Sequence, residues 1–221
     1  LYGDQRVATI SGNGVDVASQ RADDLDLMAL AHIKSIAGQH PIFAIDVGCG
    51  HGGQAARMVN AGAYVIAMDS QDYRAELART LAREGGQSNR CFFYRADVGS
   101  EPQIGNIHVV MCQRMIHYLP CHAALQALNW FHRITLPGGR MFLSASGMDS
   151  ELADSYHARD VPVESRFAHL SREMAEKHSI LHPVCLYRPN ELKGLASEAG
   201  WEVEKVFVSP FGNVKLVARR P

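Results

Sequence analysis

The run Ile45-Asp46-Val47-Gly48-Cys49-Gly50-His51-Gly52-Gly53 restricts the fold of this chain more than any other segment. An apolar strand that ends on an acidic residue and turns on three alternating glycines can bring bare backbone against a ligand, because no Cβ stands in the way. The stretch Gln54-Ala55-Ala56-Arg57-Met58-Val59 then starts a helix. Strand, glycine turn and helix in that order form a nucleotide-type cofactor site, with the ligand lying against the helix start.

The same glycines leave two cofactor classes open. Gly48, Gly50 and Gly53 satisfy the G-x-G-x-x-G dinucleotide pattern, which implies an NAD-dependent oxidoreductase. That pattern puts pyrophosphate on the helix N-terminus, and the Asp46 carboxylate, two residues before the first glycine, would repel it. A cationic cofactor tolerates Asp46 better. The form Asp-x-Gly-x-Gly-x-Gly resembles the first motif of the class I S-adenosylmethionine-dependent methyltransferases, whose cofactor carries a sulfonium, an α-amino group and an adenosine but no phosphate.

The next three strand ends keep the family's order. The run Ala63 to Met68 ends at Asp69, with Ser70 next, and an acidic residue about 20 positions after the glycine turn accepts both ribose hydroxyls. Cys91-Phe92-Phe93-Tyr94 reads as a third strand leading to Asp97 and Val98, which by resemblance take the adenine amine and ring. Ile107 to Cys112 is a fourth strand, and Gln113-Arg114-Met115-Ile116-His117-Tyr118 comes after it, beside the methyl donor. The resemblance therefore assigns Asp46, Gly48, Cys49, Gly50 and Gly52 to the methionine end. Asp69 and Ser70 go to the ribose, Asp97 and Val98 to the adenine, and Gln113 to the donor sulfur. The product is S-adenosylhomocysteine. Each lone acidic strand end also reads as an ordinary turn or helix cap. His117, with Tyr118 beside it, is the candidate for a base or an orienting hydrogen bond, or else a packed core histidine. Tyr156 and His157 are candidates on the acceptor side.

Helices are expected at 23–37, 53–61, 72–85 and 121–135, alternating with strands, the fifth of which spans 140–144. Alternation of this kind implies a parallel sheet with helices on both faces. A helix ending at Gly200 precedes Trp201 to Val208 and Asn213 to Ala218, two strands whose short connection makes them antiparallel. The fold class is thus α/β, Rossmann-like: a mostly parallel seven-stranded sheet with one antiparallel C-terminal strand. Residues 1–221 read as one domain. Residues 147–186 form an insertion at the place where the resembled family commonly puts substrate-recognition elements. Within it, Phe167, Leu170 and Met174 share one face of a helix expected over 164–178, suited to a lid or to buttressing the sheet edge.

Composition narrows the function. Lysine and arginine total 22 against 23 aspartates and glutamates, and residues 151–186 hold four basic against six acidic residues, so neither chain nor insertion is a basic clamp for nucleic acid or lipid. No apolar run approaches the ~20 residues of a membrane span. Five cysteines without a C-x-x-C pair fit reduced thiols and a cytoplasmic setting. No charged-then-apolar leader follows Leu1. The eleven histidines show no metal-ligand spacing. Gly48-Cys49-Gly50-His51-Gly52-Gly53 with Cys112-Gln113 and His117-Tyr118 also resembles the messenger-RNA cap guanine methyltransferases. The expectation is methyl transfer to an oxygen or nitrogen of a small organic acceptor. A cap-type RNA acceptor, an oxidoreductase and a non-catalytic cofactor-binding protein are the alternatives.

Overall fold

The computed structural model describes residues 9–10, 12–16, 21–38 and 40–221, so the reading of a leader after Leu1 lies outside the described residues. Helix α1 (Asp24–Ile36) begins where Asp23 accepts the amides of Leu25 and Asp26 while Asp26 reaches back to the Asp23 amide at 2.7 Å. This reciprocal cap satisfies donors that would otherwise be orphaned. Leu25, Ala29 and Ile33, four residues apart, are fully buried. Asp26 is buried with them, although first-turn carboxylates commonly face water; its partners lie beneath the glycine turn.

Strands β1 (Ile42–Val47), β2 (Ala63–Asp69), β3 (Cys91–Arg95), β4 (Ile107–Gln113), β5 (Thr135–Ser146), β6 (Glu202–Val208) and β7 (Asn213–Arg219) form one sheet in the order β3-β2-β1-β4-β5-β7-β6. The first five are parallel, and β7 pairs antiparallel with both β5 and β6. Helices α2 (Gly53–Asn60), α3 (Arg74–Arg83), α4 (Cys121–Ile134), α5 (Arg172–His178) and α6 (Pro189–Glu198) complete the chain. Successive residues of the central strands feed opposite faces. Ala44, Val65 and Met111 pack with α1, α2 and α3, whereas Ile45, Val110 and Cys112 pack with α4 and α6. Burial on both sides is why these strands read as unbroken apolar runs.

At the C-terminal end, Gly200 takes φ +87° and the Trp201 amide donates to the Ala196 carbonyl, closing α6. The Trp201 indole then donates to Leu128 O at 3.1 Å, which fixes the entry to β6 against α4.

Residues 147–186 build a small core of their own, in which Met148, Leu152, Tyr156, Leu170, Met174 and Val184 are buried together. The helix expected over 164–178 is confined to Arg172–His178. The cause is Arg166, which is 1% exposed and directs its guanidinium to both carboxylate oxygens of Glu191 and to Val161 O and Leu186 O. Ala168 pairs with Val184 in an extended bridge, and the helix starts only at the Ser171 cap. Leu170 and Met174 point inward as expected, but Phe167 is 36% exposed and leaves their face.

Candidate functional site

The chain runs outward from β1 through β2 to β3 at one edge and then crosses back to β4 on the other side of β1. The loops after β1 and β4 therefore part, and a crevice opens at their carboxyl ends, as the strand-order reversal of an open α/β sheet dictates. A cavity of about 730 Å³ occupies it.

Its floor is the glycine turn. Gly48 and Gly50 take φ +75° and +50°, and the amides of Gly48 and Cys49 donate to Met68 O. A Cβ on Gly48 would stand 2.8 Å from Met115 Cβ, and one on Gly50 would stand 2.7 Å from Asp16 Oδ2, so the segment after β4 and the N-terminal segment both press on bare backbone here. Gly52 differs. It does not line the cavity, and its absent Cβ makes room for Leu77 Cδ1 at 2.2 Å, so its φ of +80° serves the packing of α2 on α3. The expectation that Gly52 touches cofactor is corrected accordingly.

Asp46, Gly48, Cys49, Gly50, Asp69, Ser70, Asp97, Val98, Gln113, His117 and Tyr118 all line this one cavity. Asp69 Oδ2 accepts the Gly50 amide at 3.1 Å and Oδ1 the Gln71 amide at 3.0 Å, which holds both oxygens in fixed positions. Burial raises its pKa, with the two amides opposing. Exposed Asp97 caps the turn after β3 through Gly99 N at 2.7 Å, so the cap reading and the lining position hold together.

Beneath the turn lies a buried polar group drawn from three elements. Asp46 on β1, Asp26 on α1 and Gln54 on α2 are 3%, 1% and 2% exposed. Gln54 Oε1 accepts from Arg57 Nε and Nη2 at 3.3 and 3.1 Å, and Arg57 Nη2 lies 3.8 Å from Asp26 Oδ2. Asp46 Oδ2, Gln54 Nε2 and Asp26 Oδ1 have no hydrogen-bond partner. Burial first, then the neighbouring Asp26 and Asp16 charges, push the Asp46 pKa up to about 8; burial puts that of Asp26 at about 6.

Thr9, Asn13, Gly14, Val15 and Asp16, which carry no periodic pattern, supply the cavity's near wall. The amide of His51 donates to Asp16 Oδ2 at 2.8 Å, and its Nδ1 lies 3.0 Å from the same oxygen. Ile10 N donates to the Tyr73 hydroxyl, Gly14 N to Ser179 O, and Leu181 N to Gly12 O. This strap thereby ties the cofactor turn to the insertion. It also puts a carboxylate just ahead of α2, where a dinucleotide's phosphates would need to sit.

At the far end, His117 is 2% exposed and lies 3.4 Å from both the amide and the hydroxyl of Ser146. Burial, reinforced by Arg114, lowers its pKa to about 3, so the ring is neutral at neutral pH. The Tyr118 hydroxyl donates to Asn13 O at 2.5 Å. Glu151 and His178 of the insertion face each other there, with Nε2 3.2 Å from Oε2. Tyr156 and His157 are not in the cavity. Tyr156 is buried and donates its hydroxyl to Val184 O and Arg166 O, and His157 is exposed, so neither is brought to the cavity lining. Residue type and place in the insertion recommend these two in the sequence, while Asp16, Gln54, Glu151 and His178 stand in no motif that would single them out.

Six carboxylates (Asp16, Asp46, Asp69, Asp97, Asp149, Glu151) line the cavity, and Arg114 is the one lysine or arginine among the described lining residues. The Gly48 and Gly50 cradle, the fixed Asp69 oxygens and the unpartnered Asp46 oxygen fit a nucleoside with a cationic amino-acid head, and the charge disfavours a phosphate. Among the described residues there is no group of three or more His, Cys, Asp or Glu that could hold a metal ion, and no helix long and apolar enough to cross a membrane.

Residues 44–139 match a family model described as a methyltransferase domain. The ubiquinone biosynthesis O-methyltransferase of Pseudomonas aeruginosa (strain LESB58) is 26% identical over 183 residues, which are 83% of this chain and 74% of that protein. Among solved structures, the 1,6-didemethyltoxoflavin-N1-methyltransferase of Burkholderia thailandensis, with 1,6-didemethyltoxoflavin and S-adenosylhomocysteine bound, superposes with a TM-score of 0.66 at 19% identity. It covers 89% of this chain and 78% of that one. An O-methyltransferase family protein of Burkholderia thailandensis gives a TM-score of 0.65 at 17% identity, covering 89% of this chain, which spans 55% of that longer one.

Proposed function

We propose that this chain, a class I S-adenosylmethionine-dependent methyltransferase, methylates a hydroxyl oxygen of a small organic acceptor and releases S-adenosylhomocysteine. One observation carries the reading: a single cavity runs from the Asp69 carboxylate, past the glycine turn, to His117 and the insertion. Donor and acceptor thus share one cavity. The Pseudomonas relative, named for O-methyl transfer, favours oxygen over nitrogen.

In this reading Asp69 holds the ribose with Ser70 beside it. Asp97 and Val98 hold the adenine, and Asp46, Cys49 and the Gly48 and Gly50 backbone hold the methionine end near Gln113. The cofactor supplies a methyl group on a sulfonium. Methyl transfer is an in-line displacement, so the protein's part is to aim the acceptor oxygen and exclude water. His117, neutral and packed on Ser146, orients the acceptor and does not store its proton. Tyr118 secures the strap over the site. Residues 1–221 act as one domain whose 147–186 insertion, closing the far end with Glu151 and His178, selects the acceptor. The acidic lining supports a neutral or cationic small molecule over RNA, and five buried free cysteines support a reducing, cytoplasmic setting.

The test is release of S-adenosylhomocysteine when the protein is incubated with methyl-labelled S-adenosylmethionine and a panel of phenols, alkanols and amines. Label transferred to a phenol or alkanol is expected. Label found only on amines would replace oxygen by nitrogen, and cofactor binding without transfer to any member would favour a non-catalytic binder.

A further inference from the structure

Three buried polar atoms under the glycine turn have no partner: Asp46 Oδ2, Gln54 Nε2 and Asp26 Oδ1. Native interiors satisfy nearly all such atoms, and an exception at the wall of a cavity calls for a ligand. Asp46 and Gln54 both line the cavity; Asp26 does not. The orientation of Gln54 is fixed chemically. Its Oε1 receives two donors from Arg57, and a flipped amide would put NH₂ against a guanidinium. The pair facing the ligand is therefore one acceptor carboxyl and one amide donor.

The charges around Asp46 do not balance. From α1 comes the Asp26 carboxylate, and from the strap the Asp16 carboxylate. From α2 come Arg57 and the Ala55 amide, while Cys49 of the turn, Cys91 of β3 and Cys112 of β4 bring thiols within electrostatic reach. One guanidinium, already engaged by Gln54 and Asp26, faces three carboxyls. With nothing bound, the least costly arrangement keeps a proton on Asp46.

We propose that Asp46 is protonated in the unloaded enzyme and gives up that proton when an α-ammonium group enters, while Gln54 Nε2 donates to the α-carboxylate of the same head. Cofactor uptake then expels one proton to solvent. The ammonium restores the missing positive charge, the Asp46 O–H bond breaks, and the resulting carboxylate accepts from the ammonium. A neutral head would leave Asp46 protonated. The inference rests on the proposed cofactor and adds to it a linked proton and a role for Gln54.

Calorimetric titration of the whole chain in buffers of different ionisation enthalpy counts the protons released per ligand bound. Titrations with S-adenosylhomocysteine near pH 7 keep the ligand's amine charged. We expect close to one proton released, and a dissociation constant that tightens about tenfold per pH unit between pH 5.5 and 7. With 5′-methylthioadenosine, which shares the nucleoside and thioether but lacks the amino-acid head, release should be near zero and affinity flat with pH. Asp46→Asn should abolish release with S-adenosylhomocysteine, and Gln54→Leu should weaken that ligand more than 5′-methylthioadenosine. Equal proton counts for the two ligands in the wild type overturn the linkage even if neither variant folds, as does undiminished release in Asp46→Asn. Binding of neither ligand would instead remove the proposed cofactor, and this linkage with it.

Discussion

Asp69 shows how one side chain can be both part of the scaffold and part of a site. Its two oxygens accept the amides of Gly50 and Gln71, so the carboxylate proposed to meet the ribose also fastens the glycine turn to the end of β2. Asp69→Ala should weaken S-adenosylhomocysteine by about 1.5–3 kcal/mol, the scale of hydrogen bonds to a charged group. Asp69→Asn, which keeps one acceptor oxygen, should lose less. Calorimetry on both variants checks this, and unchanged affinity in Asp69→Ala would take Asp69 out of the ribose role. Gly52 makes the opposite case. An alanine there must sit at φ +80° with its Cβ against Leu77 Cδ1, and overpacking of this kind costs about 1–3 kcal/mol. Chemical denaturation should show that loss, part of it recovered in Gly52→Ala with Leu77→Ala. Cofactor affinity of the folded protein should stay within about threefold of wild type, since Gly52 lies behind the cavity wall.

At the scale of elements, the Glu191 carboxylate anchors the insertion to α6. Glu191 caps α6 by accepting the Arg188 amide at 2.7 Å and grips the Arg166 guanidinium at 2.6 and 2.8 Å. Removing one partner of a buried pair leaves the other charge stranded, at a cost of about 3–5 kcal/mol. Glu191→Gln should therefore lower stability on that scale, read by urea unfolding, and should loosen residues 147–186 first in hydrogen exchange. Burial alone would raise the Glu191 pKa, but Arg166 and the Arg188 amide outweigh it and hold it low. This contribution is present above the ordinary carboxylate range and fades as pH falls through the lowered value. The pair is invisible in sequence because its members are 25 residues apart and lie in two helical patterns, neither of which signals the other. Where periodicity and turn chemistry act locally, the sequence is legible: α1, the glycine turn, the parallel strands and the Gly200 stop stand where they are expected. The insertion departs from its helical pattern because a tertiary anchor, Arg166, overrides it. The strap carries no sequence signal because Asp16 acquires its role only through contact with His51.

Across the whole molecule, two buried carboxyls, Asp46 at the cavity wall and Asp26 behind it, weigh on the response of the unloaded protein to pH. Asp46 and Asp26 have folded pKa values near 8 and 6, above those of an unfolded chain. An acid raised by folding adds stability that is complete below its unfolded pKa and is lost as pH climbs through the folded one. His117, held neutral with a pKa near 3, acts in the other direction: its contribution is present above about 6.5, the ordinary histidine value, and is lost as pH falls. His32, His108 and His132, also lowered by burial, join it. Below pH 6.5 the two sets oppose each other. Between 6.5 and 8 the last protons leave the unfolded histidines, which adds stability, Asp26 has ionised, and Asp46 takes stability away across the whole interval, so its share is read against Asp46→Asn. One proton over that interval amounts to about 1–2 kcal/mol at 1.36 kcal/mol per unit, or roughly 3–6 °C in Tm for a chain of this size. From pH 6.5 to 8 the Tm of the unloaded wild type should therefore drop relative to that of Asp46→Asn by about that amount. Saturating S-adenosylhomocysteine should shift the wild-type slope in the same direction as Asp46→Asn, because Asp46 is then already ionised in the folded state. Equal slopes in wild type and Asp46→Asn would mean that Asp46 carries its charge in the empty site.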